Sequence, residues 1–426
     1  MTASVELGIS LSDYVRCQDK TAHIPTPTSE VCNMPRAAAA PAPVPANPIA
    51  PPPSEDVPFY NVQSWIKANP KTDLVSLIQK VINQASTTGV TGSVVYFPAG
   101  VYALDGGLTV PEGITLLGAG WNEPADLKAN CVGTWIQAKA GAPTSPITIT
   151  GKAAAVRNIA FQVPDQPGDE PPGPAAPMIS VTADQALVED VFLYNPYCGI
   201  SISGCAQAVI RRLSGQPLRY GIQIDASRDT NYIDCVHFWE YWSKIDPPKG
   251  QPPAAPAVFQ RSSGTAVQLY RCDNPHISNF FAWNYRVGLA LGVSPNPGTD
   301  TDPIPHKVHL VNADFDSCVT GIEISSTGSS GSATGLQLSN VTVQAPQGAG
   351  VPTGNGIWVT PTGSFALVQA SNLRVSNSGQ NAIRIDAPSV KFYGENVFIE
   401  NWGSDDGFCI STSSSTAFFG RRLRLL

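Results

Sequence analysis

The stretch NADFDSCVTGIEI, from Asn312 to Ile324, contains the two patterns that decide the fold of this chain. It begins with an asparagine followed by alternating apolar residues. It ends with a tetrad of glycine, an aliphatic residue, a variable residue and a second aliphatic residue. Side chains of a strand point alternately to its two faces, so this alternation is typical of half-buried strands. The stretch therefore predicts two short strands separated by a turn.

Both patterns repeat along the chain. The glycine tetrads recur at intervals of roughly 20 to 45 residues, which is the period range of solenoids. The tetrads are Gly199–Ile202, Gly221–Ile224, Gly288–Leu291, Gly321–Ile324, Gly356–Val359 and Gly407–Ile410, with Asn381–Ile385 as a variant and Gly264–Leu269 as a weaker copy. The units that open on Asn or Asp are Asp190–Leu193, Asp234–Phe238, Asn279–Ala282, Asn312–Phe315, Asn340–Val343, Asn372–Val375 and Asn396–Ile399.

A single coil of two or three short strands cannot bury its inward face, so it must stack on its neighbours. Parallel stacking also pairs the backbone groups of every coil except those at the two ends. The chain has 37 glycines, 39 prolines and only 14% charged residues, a composition typical of all-β proteins. We predict an all-β chain that forms a right-handed, single-stranded parallel β-helix. A β-propeller is the alternative, but the sequence lacks propeller-blade signatures.

The first 57 residues differ in composition from the rest. Residues 37–53 read AAAAPAPVPANPIAPPP, which favours an extended polyproline conformation. We predict an N-terminal arm over residues 1–57, either a spacer or an anchor on a sister subunit or a larger particle. Residues 58–426 form the predicted β-helix domain. A short amphipathic helix from Asp73 to Ile82, with Asp73 as its N-cap, closes the first end of that domain.

Bulk properties exclude several classes of protein. The formal net charge of −7 argues against a nucleic-acid-binding protein, which needs a basic face. No apolar run reaches about 18 residues, so no membrane span is expected, and the N-terminus lacks the pattern of a Sec signal peptide. The nine cysteines show no metal-ligand spacing and are interpreted as buried free thiols. We expect neither a metal nor a cofactor.

The segment from Gly92 to Gly120, which includes VVYFPAGVY and GLTVPEGITLLGAG, resembles the opening of the pectate-lyase-like β-helix superfamily. That superfamily includes pectate lyases, the polygalacturonase family and many phage tailspikes. The resemblance implies the β-helix fold and an activity on carbohydrate, although one fold hosts many chemistries. Residues 61–73 depart from the glycine- and aspartate-rich segment with which such domains often open.

A second resemblance involves the stretch SDDGFCI, from Ser404 to Ile410. It is similar to the aspartate-pair coil of the polygalacturonase family, but no Gly-His-Gly or Arg-Ile-Lys motif follows it. A turn formed by Asp405 and Asp406 before a glycine explains the same residues.

The register of the repeats predicts which side chains face outward. In each unit, the second and fourth residues after the Asn or Asp point away from the core. The second-place positions are Phe192, His237, Phe281, Asp314, Thr342, Arg374 and Phe398. The fourth-place positions are Tyr194, Trp239, Trp283, Asp316, Gln344, Ser376 and Glu400. Placing His237 and Trp239 in these columns requires one extra residue in the Asp234 unit.

Coils stack about 4.8 Å apart, so the aromatic side chains and the carboxylates of these columns lie on neighbouring coils. Aromatic faces stack on sugar rings, and carboxylates accept hydrogen bonds from sugar hydroxyls. The residues predicted to bind substrate are Tyr194, His237, Trp239, Trp242, Trp283, Tyr285 and Arg286. Two proline-rich insertions, 164–177 and 247–258, are expected to form one wall of the groove.

Two carboxylates on one strand at positions i and i+2 lie about 6–7 Å apart. Inverting glycosidases hold their acid and base about 6.5–9.5 Å apart to admit a water. We predict Asp316 as the general acid and Asp314 or Glu240 as the general base. Three alternatives stay open: the aromatic residues lie under a loop or in a subunit interface, the aspartates are simply solvated, or His237 is a packed residue.

The leading hypothesis is a phage-tailspike-like depolymerase that hydrolyses glycosidic bonds of a surface polysaccharide with inversion. Its expected location is extracellular or on a virion, and the resemblance implies a homotrimer. The first alternative is a non-catalytic glycan-binding adhesin or structural spike. The second is a secreted polysaccharide lyase or pectin-type hydrolase whose signal peptide has been removed.

Overall fold

The computed structural model describes residues 59–87, 92–123, 131–296, 303–325, 335–346, 354–362, 367–388, 390–403, 409–412 and 417–425. The predicted N-terminal arm and the Asp405–Asp406 turn lie outside the described residues. Both therefore stay predictions.

Within the described ranges, three helices and 27 strands form the fold. The helices are α1 Val62–Ala68, α2 Leu74–Thr87 and α3 Ala255–Ser263. The strands are β1 Phe59–Asn61, β2 Val94–Phe97, β3 Gly100–Ala103, β4 Leu108–Val110, β5 Thr115–Gly118, β6 Thr134–Gln137, β7 Ile147–Ile149, β8 Ala155–Arg157, β9 Ala160–Gln162, β10 Pro177–Val181, β11 Leu187–Leu193, β12 Cys198–Ser203, β13 Val209–Gly215, β14 Tyr220–Asp225, β15 Tyr232–Phe238, β16 Thr265–Leu269, β17 His276–Trp283, β18 Val287–Leu291, β19 Val308–Asp316, β20 Thr320–Ile324, β21 Gly335–Gln344, β22 Ile357–Val359, β23 Leu367–Ser376, β24 Ile383–Ile385, β25 Lys391–Glu400, β26 Ile410–Thr412 and β27 Ala417–Leu425.

The strands pair in parallel in two sheets, and the chain passes from one sheet to the other in every coil. The first sheet has 16 strands, with the main order β1-β2-β5-β8-β11-β13-β15-β17-β19-β21-β23-β25-β27. The second sheet has 11 strands, in the order β26-β24-β22-β20-β18-β16-β14-β12-β10-β7-β4. The predicted right-handed parallel β-helix is confirmed. One continuous apolar core runs along its axis from α1 to β27.

Each long strand of the first sheet bends at one residue with a left-handed backbone. In β19 this residue is Asn312, at φ 53°. The bend shifts the alternation by one place: Val311 and Asn312 are both exposed, whereas Leu310 and Ala313 are both buried. Asparagine adopts this conformation more readily than most residues. The positions aligned at the bend are Asn158, Asp190, Arg212, Cys235, Asn279, Asn312, Asn340, Asn372, Asn396 and Arg422.

The asparagine amides at the bend also bond to each other along the helix axis. Asn340 Nδ2 donates to Asn312 Oδ1 at 3.1 Å, and Asn312 Nδ2 donates to Asn279 Oδ1 at 3.2 Å. Asn372 and Asn396 continue the ladder at 2.9 and 3.0 Å. Each bond contributes about 1 kcal/mol at most, and the ladder holds successive coils in one register.

The predicted glycine tetrads mark the corner where the chain enters the second sheet. A Cβ at Gly288 would lie 2.3 Å from Cδ1 of Phe315 and 2.6 Å from the carbonyl oxygen of Gly321. Val343 and Val375 crowd Gly321 and Gly356 in the same way, at 2.3 Å. Glycine is required at this corner because an inward side chain of the next coil fills the space of a Cβ.

The helices α1 and α2 cover the first end of the solenoid. The sequence analysis predicted α2 in this position. Asp73 caps α2, since its Oδ2 accepts the amide of Ser76 at 2.8 Å. The side chain of Gln79 pairs with the terminal strand of the second sheet: it donates to the carbonyl of Thr109 at 3.0 Å and accepts the Thr109 amide at 2.7 Å. The amide of Gln79 thereby takes the place of a missing neighbour strand.

Two details of the predicted register are wrong. The bend residue of β15 is Cys235, at φ 56°, and Asp234 pairs with Ser278, so this unit contains no extra residue. His237 and Trp239 keep their predicted columns for this simpler reason. Ile410 pairs with Ile383, whereas the predicted tetrad aligned it with Ile385. A cysteine at a bend gives no signal in the sequence, because the pattern was defined by Asn and Asp.

The seven cysteines among the described residues are all free. Cys205, Cys272, Cys318 and Cys409 are buried, as predicted, whereas Cys235 is exposed. Within the same described part of the chain, no helix has the length and apolar character needed to cross a bilayer.

The crowding at Gly288 predicts that Gly288→Ala lowers the free energy of unfolding by about 2 kcal/mol, because Phe315 or the backbone must move. Gly335→Ala is the matched control, since a Cβ there meets nothing within 4 Å. Urea denaturation of both variants measures the difference. Equal midpoints for the two variants would contradict the packing argument.

Candidate active site

The part of each long strand that follows the bend presents two outward columns. Phe281 lies beside Asp314, which lies beside Thr342, and Trp283, Asp316 and Gln344 are aligned in the same way. Further coils add Arg374 and Phe398 to the first column and Ser376 and Glu400 to the second. The predicted alignment of the columns is confirmed from His237 to Glu400, and we refer to this surface as the groove.

Four aromatic rings form one end of the groove, which we call the aromatic patch: His237, Trp239, Phe281 and Trp283. The rings of His237 and Phe281 stack at 5.0 Å, and those of Trp239 and Trp283 are 4.8 Å apart. Trp239 is 38% exposed. Partly exposed aromatic rings over two adjacent coils provide a surface on which the apolar face of a sugar can stack.

The orientation of Trp283 depends on the insertion that follows Trp239. The indole Nε1 of Trp283 donates to Oε1 of Glu240 at 2.7 Å. Gln260 of α3 donates to the carbonyl oxygen of Trp283 at 3.1 Å. Burial raises the pKa of Glu240, and the Trp283 hydrogen bond opposes that shift. Glu240, which the sequence analysis predicted as a base, therefore accepts a hydrogen bond from the Trp283 indole.

Two carboxylates follow the aromatic patch on the next coil. Asp314 pairs with Phe281 and Asp316 with Trp283. Oδ1 of Asp314 is buried and accepts no hydrogen bond from any described residue. Asp316 Oδ1 accepts from the hydroxyl of Ser317 at 3.2 Å. The two carboxyl groups share one face of β19 but differ in their hydrogen bonds.

These differences separate the two acids. Burial raises the pKa of Asp314 to about 6, and the charge of Asp316 adds to that shift while Arg374 opposes it. Burial also raises the pKa of Asp316, but the Ser317 side chain and backbone oppose the shift. Two neighbouring carboxyl groups of which one keeps its proton to a higher pH, here up to about 6, can divide the roles of acid and base between them.

The other end of the groove is polar. Arg374 Nε donates to Glu400 Oε1 at 3.1 Å, and a second guanidinium nitrogen contacts the same oxygen. The guanidinium also lies 5.9 Å from the ring centroid of Phe398. Thr342 and Gln344 separate this ion pair from the carboxylates. Along the helix axis, the groove thus presents the aromatic patch, then Asp314 and Asp316, and then the ion pair of Arg374 with Glu400.

The prediction that Tyr194 is exposed in the groove is wrong, since only 1% of it is accessible. Tyr194 belongs to a second apolar cluster with Trp135, Ala160 and Phe192. Trp121, Cys131, Tyr241 and Trp242 pack over this cluster. The exposed aromatic residues therefore begin two coils after Tyr194, at His237 and Trp239. Trp242, a second predicted sugar-binding residue, is part of that cover.

Tyr285 is also incorrectly placed by the sequence, because it is fully buried and its hydroxyl donates to the carbonyl of Pro217 at 2.7 Å. Asn284 precedes it with φ 62°, and this second left-handed residue turns the next side chain inward. Arg286 lies beyond that turn. Its Nη1 is 3.0 Å from Oε2 of Glu323 in the second sheet, so its ion pair is formed away from the outward columns.

His237 has a partner that the sequence analysis missed. Its Nδ1 lies 2.7 Å from the hydroxyl of Tyr241. Burial lowers the pKa of His237, and Glu123 opposes this shift. Tyr241 comes four residues after His237, but the intervening chain leaves the strand, so no strand or helix periodicity indicates the contact.

Gln216 was missed for a different reason. It occupies the column position between Tyr194 and Trp239, in the coil whose bend residue is Arg212 and not Asn or Asp. Its Oε1 accepts the backbone amides of Trp242 and Ser243 at 2.8 and 3.0 Å. This bond network anchors the insertion beside the aromatic patch. Counting back from the tetrad at Gly221 would have indicated the coil.

Comparisons with known proteins find a family model and solved structures that share this fold. A family model described as rhamnogalacturonase A/epimerase, pectate lyase-like, matches residues 59–145. The resemblance to pectate-lyase-like proteins noted in the sequence is therefore confirmed. A search of curated protein sequences finds no match.

Solved structures with this fold cover most of the chain. A mutant tailspike protein of E. coli bacteriophage HK620, solved in complex with a pentasaccharide, matches with a TM-score of 0.53 and 9% identity, over 86% of this chain and 65% of that chain. An exopolygalacturonase from Thermotoga maritima has a TM-score of 0.49 and 12% identity, over 86% of this chain and 91% of that one. A mannuronan C-5 epimerase module from Azotobacter vinelandii has a TM-score of 0.45 and 13% identity, over 86% and 97%. At these identities the likeness to the tailspike establishes the fold alone.

The environment of Asp314 predicts a gain of stability on its neutralisation. The folded pKa of about 6 exceeds the unfolded value of about 3.9, so the fold favours the protonated acid and loses stability as pH rises from about 4 to about 6. Asp314→Asn removes this loss, so its melting temperature relative to the wild type should rise across that interval and stay raised at pH 7.

Asp234→Asn is the matched control for that measurement. Hydrogen bonds from Ser278 and Asn279, at 2.6 and 2.8 Å, lower the pKa of Asp234. The charged form of Asp234 stabilises the fold above the unfolded pKa, so this variant should be the less stable one at pH 7. If Asp314→Asn melts at or below the wild type at pH 7, the buried-acid interpretation is wrong.

Proposed function

We propose that this protein is a polysaccharide depolymerase that hydrolyses a glycosidic bond with inversion in the groove. The observation that supports it is the register of β17 and β19, in which Phe281 and Trp283 lie directly beside Asp314 and Asp316. A sugar stacked on the aromatic patch would present its neighbouring bond to the two acids one coil further on.

The separation of the acids favours inversion. Carboxylates at i and i+2 on one strand face lie about 6–7 Å apart, near the lower bound of about 6.5–9.5 Å for inverting enzymes. That separation leaves room for one water between a carboxylate and the anomeric carbon. A retaining mechanism would need the two groups at about 5–5.5 Å.

The pKa difference revises the predicted roles. We assign Asp314 as the general acid, because burial keeps it protonated at higher pH, and Asp316 as the general base. Asp314 would give its proton to the glycosidic oxygen as the bond to the anomeric carbon breaks. Asp316 would take a proton from the water that attacks the same carbon from the opposite side. Proton exchange with solvent then returns a proton to Asp314 and removes one from Asp316.

Glu240 takes a positioning role in this proposal. Its carboxylate holds the indole of Trp283 at 2.7 Å, so it acts on substrate through that ring. Glu240 lies in the insertion that follows β15. Hydrogen bonds from Gln216 and Gln260 hold this insertion against the outward columns.

The location and the assembly of the protein form a separate part of the proposal. The fold shared with a phage tailspike, together with the Pro/Ala-rich stretch at 37–53, supports a tailspike-like depolymerase that works on a virion or outside the cell. A homotrimer, and an N-terminal arm that docks on a larger particle or sister subunit, belong to the same proposal. Size measurement in solution by light scattering tests the trimer.

The first experiment is a degradation screen against capsular, lipopolysaccharide and plant polysaccharides, with Asp316→Asn and Asp314→Asn tested beside the wild type. We expect oligosaccharide release by the wild type and a loss of at least 100-fold in each variant, since each removes a proton-transfer step. Glycan binding without release would favour a non-catalytic adhesin. Release with products that absorb in the ultraviolet would favour a lyase.

The pH dependence of kcat/KM distinguishes the two assignments of roles. If Asp314 is the acid, activity falls as pH rises through about 6, because the proton that must be donated is lost. If Asp314 were the base, activity would rise through the same pH. An alkaline limb near 6 therefore supports the revised assignment, and an acidic limb there restores the sequence-based one.

Two variants of Glu240 separate positioning from base catalysis. Glu240→Gln keeps an oxygen that accepts the Trp283 indole hydrogen, so we expect KM and kcat within about threefold of the wild type. Glu240→Ala frees the ring, so we expect KM to rise about tenfold, a loss of about 1.4 kcal/mol of binding. A kcat that collapses in Glu240→Gln would show that the carboxylate itself takes part in the reaction.

A further inference from the structure

We infer that the groove takes a polysaccharide without ionised acidic groups and rejects polyuronates and other polyanions. This inference rests on the proposed function and specifies its substrate class. The observations that carry it are the charges along the two outward columns and the partner of the one cation among them.

Carboxylates predominate along the groove. Asp314, Asp316 and Glu400 all project from the outward columns, in the coils of β19 and β25. Glu240 adds a carboxylate at the indole of Trp283. An anionic sugar bound across the aromatic patch and β19 would place its carboxylate next to one or more of these groups. Like charges in a partly buried groove repel strongly, because solvent screens them poorly.

One arginine faces these acids within the described columns between His237 and Glu400, and it is already neutralised. Arg374 directs its Nε and a second nitrogen at Oε1 of Glu400, with the Nε contact at 3.1 Å. To bind a uronate, Arg374 would have to release Glu400 and leave that carboxylate unpaired. The exchange of one carboxylate for another brings no net gain in charge neutralisation.

The titratable residue of the aromatic patch supplies no cation at neutral pH. His237 stacks on Phe281 at 5.0 Å and contacts the Tyr241 hydroxyl through Nδ1. Although His237 is solvent-accessible, its contacts with the patch lower its pKa below the usual value of about 6.5, which disfavours the charged imidazole at pH 7. Glu123 is the charged group that acts on both His237 and Tyr241, and it is an acid.

Three other arginines lie on β8 and β13, coils that precede the groove, and on the other side of the bend. Arg157, Arg211 and Arg212 surround the buried carboxylate of Glu189, and Arg212 also pairs with Asp190 at 2.5 Å. These residues lie at or before the bend, so they are not part of the outward columns. Arg261 of α3, whose charge acts on Glu240, is buried and donates from Nε to Oδ1 of Asn284. These four arginines therefore contact groups of the scaffold.

An uncharged glycan suits every group that the groove does present. Sugar hydroxyls donate to Asp316 and Glu400, and Thr342 and Gln344 can both donate and accept. Sugar rings stack on Trp239 and Trp283. None of these contacts depends on attraction between opposite charges, so the affinity should change little with ionic strength.

The test uses matched pairs of polysaccharides: polygalacturonate, alginate and hyaluronan, each beside its carboxyl-reduced derivative, together with neutral and N-acetylated glycans. Binding to the wild-type protein and to Trp283→Ala is measured by affinity electrophoresis in about 0.05 M and about 0.5 M NaCl. We expect binding only to uncharged members, with less than a twofold change in affinity between the two salt concentrations, and a loss of at least tenfold in Trp283→Ala.

Three results are distinguishable. Trp283-dependent binding of uncharged glycans alone supports the inference and the groove as the substrate site, and the degradation screen then tests hydrolysis. Trp283-dependent binding of an acidic polysaccharide, weakened by salt, overturns the inference but leaves the proposed function in place. Binding of neither class, or binding that Trp283→Ala does not alter, overturns the proposed function and the inference together.

Glu400→Gln provides a gain-of-binding test. It releases Arg374 and removes one carboxylate, so affinity for the acidic member of at least one matched pair should rise at least fivefold. Arg374→Gln is its control and should produce no such rise. If Glu400→Gln leaves the discrimination between acidic and reduced members unchanged, the charge argument is wrong.

Discussion

The left-handed residue at the bend of each long strand is the constraint on which the rest of the structure depends. At Asn312 it lets two successive side chains face solvent and two others, Leu310 and Ala313, face the core. Without that shift the strand would continue its alternation and place Asp314 and Asp316 inside the solenoid. From β17 to β25 the asparagine amides then bond from coil to coil and keep the bends in register.

The stacked register converts this local geometry into the candidate active site. A residue two places beyond the bend in one coil lies beside the residue two places beyond it in the next, so a short repeat places distant residues side by side. Trp283 and Asp316 are 33 positions apart in sequence and directly paired in the sheet. Function on this scaffold needs only the outward positions, because the inward ones are committed to the core.

The groove contains a buried acid whose environment disfavours its charged form. Oδ1 of Asp314 is buried without a described hydrogen-bond donor, and Asp316 lies on the same strand face. The core of the solenoid tolerates such a site, because the aliphatic residues of every coil stabilise it independently of the outer face. Strain of this kind at a candidate catalytic pair agrees with the general trade between stability and activity.

The sequence by itself determined the coil repeat, the bend asparagines, the glycine corners and the alignment of Trp239, Trp283, Asp314 and Asp316. These features depend on alternation within a strand and on a nearly constant period, which are local properties that can be read from residue order. Only the tertiary structure decided that Tyr194 is covered, that Tyr285 turns inward, that Cys235 occupies a bend and that Glu240 holds the Trp283 indole. Each of these depends on where an insertion or a turn folds back over the columns, and such contacts join residues that no periodicity relates. The same holds for the raised pKa of Asp314, because burial is produced by all the neighbouring coils together.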